Sequence, residues 1–252
     1  VLYQLKHNGI TSMAYKILII KQKKLLKIIN SAIDKEMTSP NIFEMVINKI
    51  INKGVKTDTF DAIYWPVKNI PEYYDLHWKI IWDPTIFDML FNEKIIKSQL
   101  LKEGFAEVGP YGKITKSFIS DFCYINGTVE NSIIYPGVHI EEGSRIKNSI
   151  ILPFVKIGRD VVINRSIIDE RTDLHSDIDY YNIGSMCKIG TQQDHIKNND
   201  YPQSLFSSIT LIGKDNRIPP DSRIGGACYV NSNSGENFFN KQKVLYDGVS
   251  II

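Results

Sequence analysis

Histidine is the side chain most often used as a general base near neutral pH, and three of the five histidines stand where such chemistry is conceivable: His139, His175 and His195. His139 lies between Val138 and Ile140 on an apolar stretch, where a ring on the surface is the plainer reading. His175 and His195 fall in two polar stretches, Asp173 to Tyr181 and Gln192 to Gln203, a better setting for a reactive group, although spacing fixes no acidic partner for either. Lys97, Lys102, Lys113 and Lys116 form a loose cationic series able to grip a phosphorylated metabolite, but lysines in a connecting segment are usually just solvated. The three cysteines, Cys123, Cys187 and Cys228, are an odd set with no Cys-x-x-Cys pair, which argues against a zinc site and a disulfide scaffold and for a reduced, cytoplasmic protein. No Gly-rich phosphate loop is found.

The elements that must position these groups follow from the hydrophobic period. Ile140, Ile146 and Leu152 are six apart; after a one-residue slip Ile157 and Ile163 continue, flanked by Val155, Val161 and Ile167. Ile119 and Ile125 precede them, Ile183 and Ile189 follow, and Ile212, Ile218, Ile224 and Val230 close the series. A helix repeats at 3.6 and a strand at 2. A period of six suits three short flat faces per turn, each sending one aliphatic inward, so that stacked turns bury a continuous column. Four residues after each aliphatic, a corner leaves room only for a small side chain. Ser144, Val161, Ser222 and all three cysteines occupy that place, so the thiols read as buried spacers rather than nucleophiles. The expected fold over 114–230 is a left-handed parallel β-helix of hexapeptide repeats. The two polar stretches are expected to be loops leaving it, and 231–252 to be a tail or cap.

The first part has a different rhythm. Leu25, Leu26, Ile28, Ile29 and Ile33 suit one helical face, and Ile42 to Ile51, closed by Gly54, suit a second. A third helix is expected from Pro71 through Tyr74, Trp78 and Ile81, with strands over Met13–Ile19 and within Val55–Trp65. This is the order of the closing part of an α/β domain, expected over 1–92, with 93–113 as a linker. The aromatic run from Tyr73 onward is expected to pack that domain against the β-helix rather than to cage a ligand. Formal charge is only +2 and the longest apolar run is Ile17–Ile20, so neither a nucleic acid nor a membrane is implied as a partner.

Ser12-Met13-Ala14-Tyr15, Tyr64-Trp65 and the following Tyr73-Tyr74 helix are similar to the end of the catalytic domain of sugar-nucleotide pyrophosphorylases. The stretch from Phe118 to Ser132, then Val162 to Asp169, then Ile209 to Lys214 with Ile218-Pro219, resembles successive coils of the ADP-glucose pyrophosphorylase (glucose-1-phosphate adenylyltransferase) family. That resemblance implies an α/β remnant of a nucleotidyltransferase domain ahead of the β-helix. It also implies transfer of AMP from ATP to glucose 1-phosphate with Mg²⁺, for glycogen biosynthesis, by a protein whose β-helix serves tetramer assembly and effector response. It assigns Ser12 to the sugar side; the effector contacts, with Lys113 and Lys116 the first candidates, are expected from the residues themselves, where the α/β remnant meets the prism. The family's Tyr-Trp-x-Asp-Val-Gly motif carries a metal-binding Asp, whereas Tyr64-Trp65-Pro66-Val67-Lys68-Asn69 has no carboxylate there. The chain is therefore expected to be the C-terminal part of a non-catalytic subunit type, without the nucleotide-gripping half and without metal ligands of its own, partnering a catalytic paralogue. ATP and glucose 1-phosphate are expected only in the complete protein. The rival reading is a hexapeptide-repeat acyltransferase, with a histidine base and acyl-CoA.

Overall fold

In the computed structural model, residues 2–7, 10–18, 22–33, 57–61, 67–88, 104–172 and 180–252 are described. The chain divides into two compact units, Val1–Pro66 and Val67–Ile252. In the first, strand β1 (Leu2–His7) pairs antiparallel with β2 (Ile10–Leu18) and parallel with β3 (Thr57–Asp61), giving the order β2-β1-β3. Helix α1 (Gln22–Ile33) follows β2. The expected second helix, Ile42 to Ile51, lies outside the described residues.

The second unit is a parallel β-helix with three faces. Face one is built from Glu107–Val108, Tyr124–Ile125, His139–Ile140 and Lys156–Ile157, and is carried on by single bridges at Ile183 and Ile218. Face two stacks seven strands, from Lys113–Thr115 to Val244–Leu245, and face three seven more, from Phe118–Ile119 to Ser250–Ile251. The inward column is almost purely aliphatic: Ile125, Ile140, Ile157 and Ile183 on face one, and Val129, Ile146, Ile163, Ile189 and Ile224 on face two, are buried in one cluster. Each such side chain contributes roughly 1.5–3 kcal/mol of transfer free energy. Between coils the stack is tied by side chains as well as by backbone. Ser132, Ser149 and Ser166 each give their backbone N–H to the serine hydroxyl one coil earlier (Ser117, Ser132 and Ser149), at 3.1–3.2 Å. At the neighbouring corner Asn131 donates to Asn148, and Asn148 to Asn164.

Three expectations need correcting. Leu152 and Ile167 do not point into the column; Ile151 and Ile168 do, while Leu152 and Ile167 pack on the outside of face three. The step from face two to face three is five residues in these coils (Ile146 to Ile151, Ile163 to Ile168), so a count of six from Ile146 lands one past the inward residue, on Leu152, while a count of six from the corner residue Val161 lands one short of it, on Ile167. The coil is also longer than 114–230: it begins at Glu107, and the segment expected to be a tail or cap supplies two further strands, Val244–Leu245 and Ser250–Ile251. In that last coil a short helix, α4 (Gly235–Phe239), lies between the face-three strand Tyr229–Val230 and the face-two strand Val244–Leu245, and Phe239 is fully buried in the interior column.

The third correction concerns helix α2 (Ile70–Trp82), which belongs with the β-helix unit rather than with the first part of the chain. It opens on Asn69, whose side chain accepts from the Glu72 N–H, and Glu72 in turn accepts from the Lys68 N–H; Pro71 fits the first turn. It stops at Asp83, whose carboxylate caps the next short helix, α3 (Pro84–Phe87). Tyr74 is buried, and Tyr73, Trp78 and Ile81 pack with it on the outer apolar face formed by Ile133, Ile150 and Ile167. The Tyr74 hydroxyl donates to the Asn148 carbonyl at 2.5 Å.

Of the two polar stretches, only the second can be followed along its length. Residues 173–179 lie outside the described residues. The segment between Ile189 and Thr210 is described and folds back on face three through Leu205 and Ile209. Among the described residues no helix is long and apolar enough to cross a membrane.

Candidate functional site

Of the residues singled out above, Lys113 is the one that the structure places in a concave setting. Of the five corners that join a buried aliphatic on face one to a buried aliphatic on face two, four spend six residues, as from Ile140 to Ile146 or Ile157 to Ile163. The second coil spends only four, Ile125 to Val129. Its corner is cut short at Gly127, and the coils on either side overhang it. The result is a notch of about 300 Å³ lined by Tyr111, Lys113, Gly127, Thr128, Glu142 and Arg145. Bare backbone forms its floor: a Cβ at Gly127 would lie 2.5 Å from the Ser144 carbonyl oxygen. Lys113, Thr128 and Arg145 are consecutive in register on face two, so their side chains leave the sheet on the same side. The two cations are two strand spacings apart, roughly 9.5 Å between Cα atoms, with the threonine hydroxyl between them. Neither has an ion-pair partner among the described residues, whereas Lys147 is held by Glu130 at 3.1 Å and Lys214 by Glu170 at 2.6 Å. Two unpaired cations flanking a hydroxyl, beside an exposed tyrosine ring and one carboxylate, suit a small ligand carrying both a phosphate and hydroxyl groups.

The other candidates do not converge on this notch. Lys116 sits at the next corner with φ of 46°, exposed and outside the notch lining. Lys97, Lys102 and His175 lie outside the described residues, as do Tyr64, Trp65 and Pro66. Ser12 lies on β2 in the first unit. His195 is exposed in the second excursion, with φ of 73°. Among the described residues no group of three or more His, Cys, Asp or Glu is placed to hold a metal ion. Val67 stands where the resembled family has a metal-binding carboxylate, so no step through Mg²⁺ is derived.

His139 is not a bare surface residue. Its ring stacks on Tyr124 at 4.7 Å, and its Nε2 lies 3.1 Å from Glu141 Oε1, which also accepts from the Tyr181 hydroxyl at 2.9 Å. Burial works against the charge of Glu141, yet the hydrogen bonds from Tyr181 and His139, with Arg159 nearby, hold its carboxyl below the usual range. This is a base with an orienting acid, the pair that spacing left unseen, with the ring lying against Tyr124 and outside the lining of the notch. The arrangement ties Tyr181 to the prism.

The cysteines are buried and hydrogen-bonded. The Cys123 thiol donates to the Tyr135 carbonyl at 3.1 Å, Cys187 to Pro219 at 3.2 Å and Cys228 to Tyr246 at 3.0 Å. Burial pushes the Cys187 and Cys228 thiols up to about 11, and Cys123 in the same direction. Since the thiolate is the reactive form, all three are expected to stay silent toward a disulfide reagent at pH 8 until denaturant is added, when three equivalents react. A thiol titrating rapidly in the folded protein would contradict the spacer role.

The notch falls within the part of the chain that is similar to known proteins. A family model described as GlmU-like, C-terminal hexapeptide, matches residues 102–193. The glucose-1-phosphate adenylyltransferase of Fervidobacterium nodosum is 29% identical over 182 residues, 71% of this chain and 41% of that protein. Those of Acetivibrio thermocellus and Desulforamulus reducens are 31% and 32% identical over 118 and 128 residues, covering 47% and 51% of this chain but 25% and 28% of the relatives. The matched region thus spans less than half the length of each of these proteins.

Proposed function

We propose, for a chain whose hexapeptide-repeat part belongs to the glucose-1-phosphate adenylyltransferase (ADP-glucose pyrophosphorylase) family, that the β-helix is an assembly and regulatory module. The reaction it serves is ATP plus glucose 1-phosphate giving ADP-glucose and pyrophosphate, in glycogen biosynthesis. The module joins like or paralogous subunits, as a tetramer with a catalytic partner, and reads a phosphorylated effector. The observation that supports a regulatory part is the notch: two unpaired cations, Lys113 and Arg145, at a corner shortened by two residues. Of the two lysines first proposed as effector contacts, Lys113 keeps that part and Lys116 gives way to Arg145.

The reading is tested by mixing the protein with an active glucose-1-phosphate adenylyltransferase and measuring molar mass by light scattering and ADP-glucose synthesis across a panel of phosphorylated three- to six-carbon metabolites. Co-assembly is expected, with a metabolite response that Lys113→Ala and Arg145→Ala each weaken by about tenfold, the loss of one charge-assisted hydrogen bond to phosphate. A protein that neither self-associates nor joins the partner, and leaves its metabolite response unchanged, would defeat the reading.

A further inference from the structure

Helix α2 is held on face three by a histidine both of whose ring nitrogens are committed. His77 is 8% exposed. Its Nδ1 lies 2.8 Å from the Tyr73 carbonyl oxygen, an acceptor only, so Nδ1 carries the hydrogen. Its Nε2 lies 3.0 Å from the Tyr135 hydroxyl on the prism and must accept from it while the ring is neutral. Tyr73 flanks the ring at 4.4 Å and Tyr135 at 6.1 Å, so the imidazole is enclosed by phenols. The charged groups around α2, Asp75 on the helix and Arg165 and Asp169 from the prism, act on Tyr73 and Tyr74; among the described residues no carboxylate is paired with His77.

We propose that His77 makes α2 an acid-released clasp, docked on the outer face of the β-helix while the ring is neutral and let go when it takes a second proton. Protonation sets a donor at Nε2 against the Tyr135 hydroxyl. The hydroxyl has to turn away, and a cation is left enclosed without a counter-charge. Release uncovers the apolar face of Ile133, Ile150 and Ile167 that α2 and the 190–209 excursion share. Burial holds the imidazole below its ordinary value of 6.5, outweighing the Tyr73 carbonyl, which pulls the other way. The sign follows: the unfolded or undocked form binds the proton more tightly, so docking is complete above pH 6.5 and weakens as pH falls below it. This goes beyond the assembly and regulatory role and does not depend on it.

Hydrogen–deuterium exchange of the full chain at pH 7.5 and 5.5, corrected for intrinsic exchange, reads the clasp directly. Peptides covering residues 70–82 are expected to lose about tenfold in protection at the lower pH, with the face-two strands unchanged. In His77→Phe and in His77→Gln, neither of which titrates, that pH dependence should vanish. The His77 ring resonances should titrate with a midpoint matching the loss of protection. Equal protection of 70–82 at both pH values, or a pH dependence surviving in both variants, overturns the proposal.

Discussion

Phe239→Ala is expected to remove about 3–5 kcal/mol from the last coil, the range for emptying a fully buried phenylalanine site. Phe239 is the largest of the fully buried side chains, and it plugs the interior column beside Leu245. Helix α4 is only five residues long, too short to hold itself together, so its place depends on that ring. In a stacked coil each turn is stabilised by its neighbours, which makes the loss local before it is global. Among the backbone bonds that bind the last coil, four run from Arg223 and Gly225 to the carbonyls of Lys243 and Leu245, and from Tyr229 and Asn231 to those of Val249 and Ile251. Hydrogen exchange should therefore report those four amides opening by two orders of magnitude or more, with Ile146 and Ile163 still protected. Unchanged exchange there would mean that α4 is an ornament on the coil rather than its plug.

That 231–252 read as a tail or cap rather than as a further coil has a physical origin. Ile140, Ile146, Ile157 and Ile163 announce the prism because a corner of constant length makes the inward residues periodic. Where the corner length changes, the period fails although the architecture does not. Leu152 was placed inside by a count of six from Ile146, and the five-residue corner puts Ile151 there instead. In the last coil a helix replaces the face-one strand, so no aliphatic recurs between Val230 and Val244 and the rhythm is interrupted. The cysteines escaped this difficulty because corner space selects by size, and size is legible in a single residue.

The candidate site divides along the same line. Lys113 could be picked out as a cation, but Arg145, its partner, belongs to a coil two turns on and becomes a neighbour only through stacking register. One signal was available: the four-residue interval from Ile125 to Val129, the sole short step among the face-one corners, marks where the surface must be indented. The Tyr124, His139, Glu141 and Tyr181 arrangement could not be anticipated, because Tyr181 returns to it across an excursion whose path no periodicity describes.

Gly190→Ala is expected to cost about 3 kcal/mol or more and, in a unit of this size, to lower Tm by roughly 6–12 °C. Gly190 ends a face-two strand and begins the excursion that returns at Thr210, with φ of 82°. An L-residue held there gives up about 1–2 kcal/mol by conformation alone. A Cβ would also be driven into the Asn164 carbonyl oxygen, which already accepts from the Ser166 hydroxyl at 2.8 Å within the serine ladder. Backbone inside a stacked coil cannot retreat without disturbing the coils on both sides. Gly137 is the control. Its φ of 72° carries the same conformational cost, but its Cβ would meet the ring of Phe154, a side chain that can swing toward solvent. Thermal unfolding of the two variants therefore separates conformation from collision. If Gly137→Ala lowers Tm as far as Gly190→Ala does, the carbonyl at Asn164 is not the obstacle and strain at φ accounts for both.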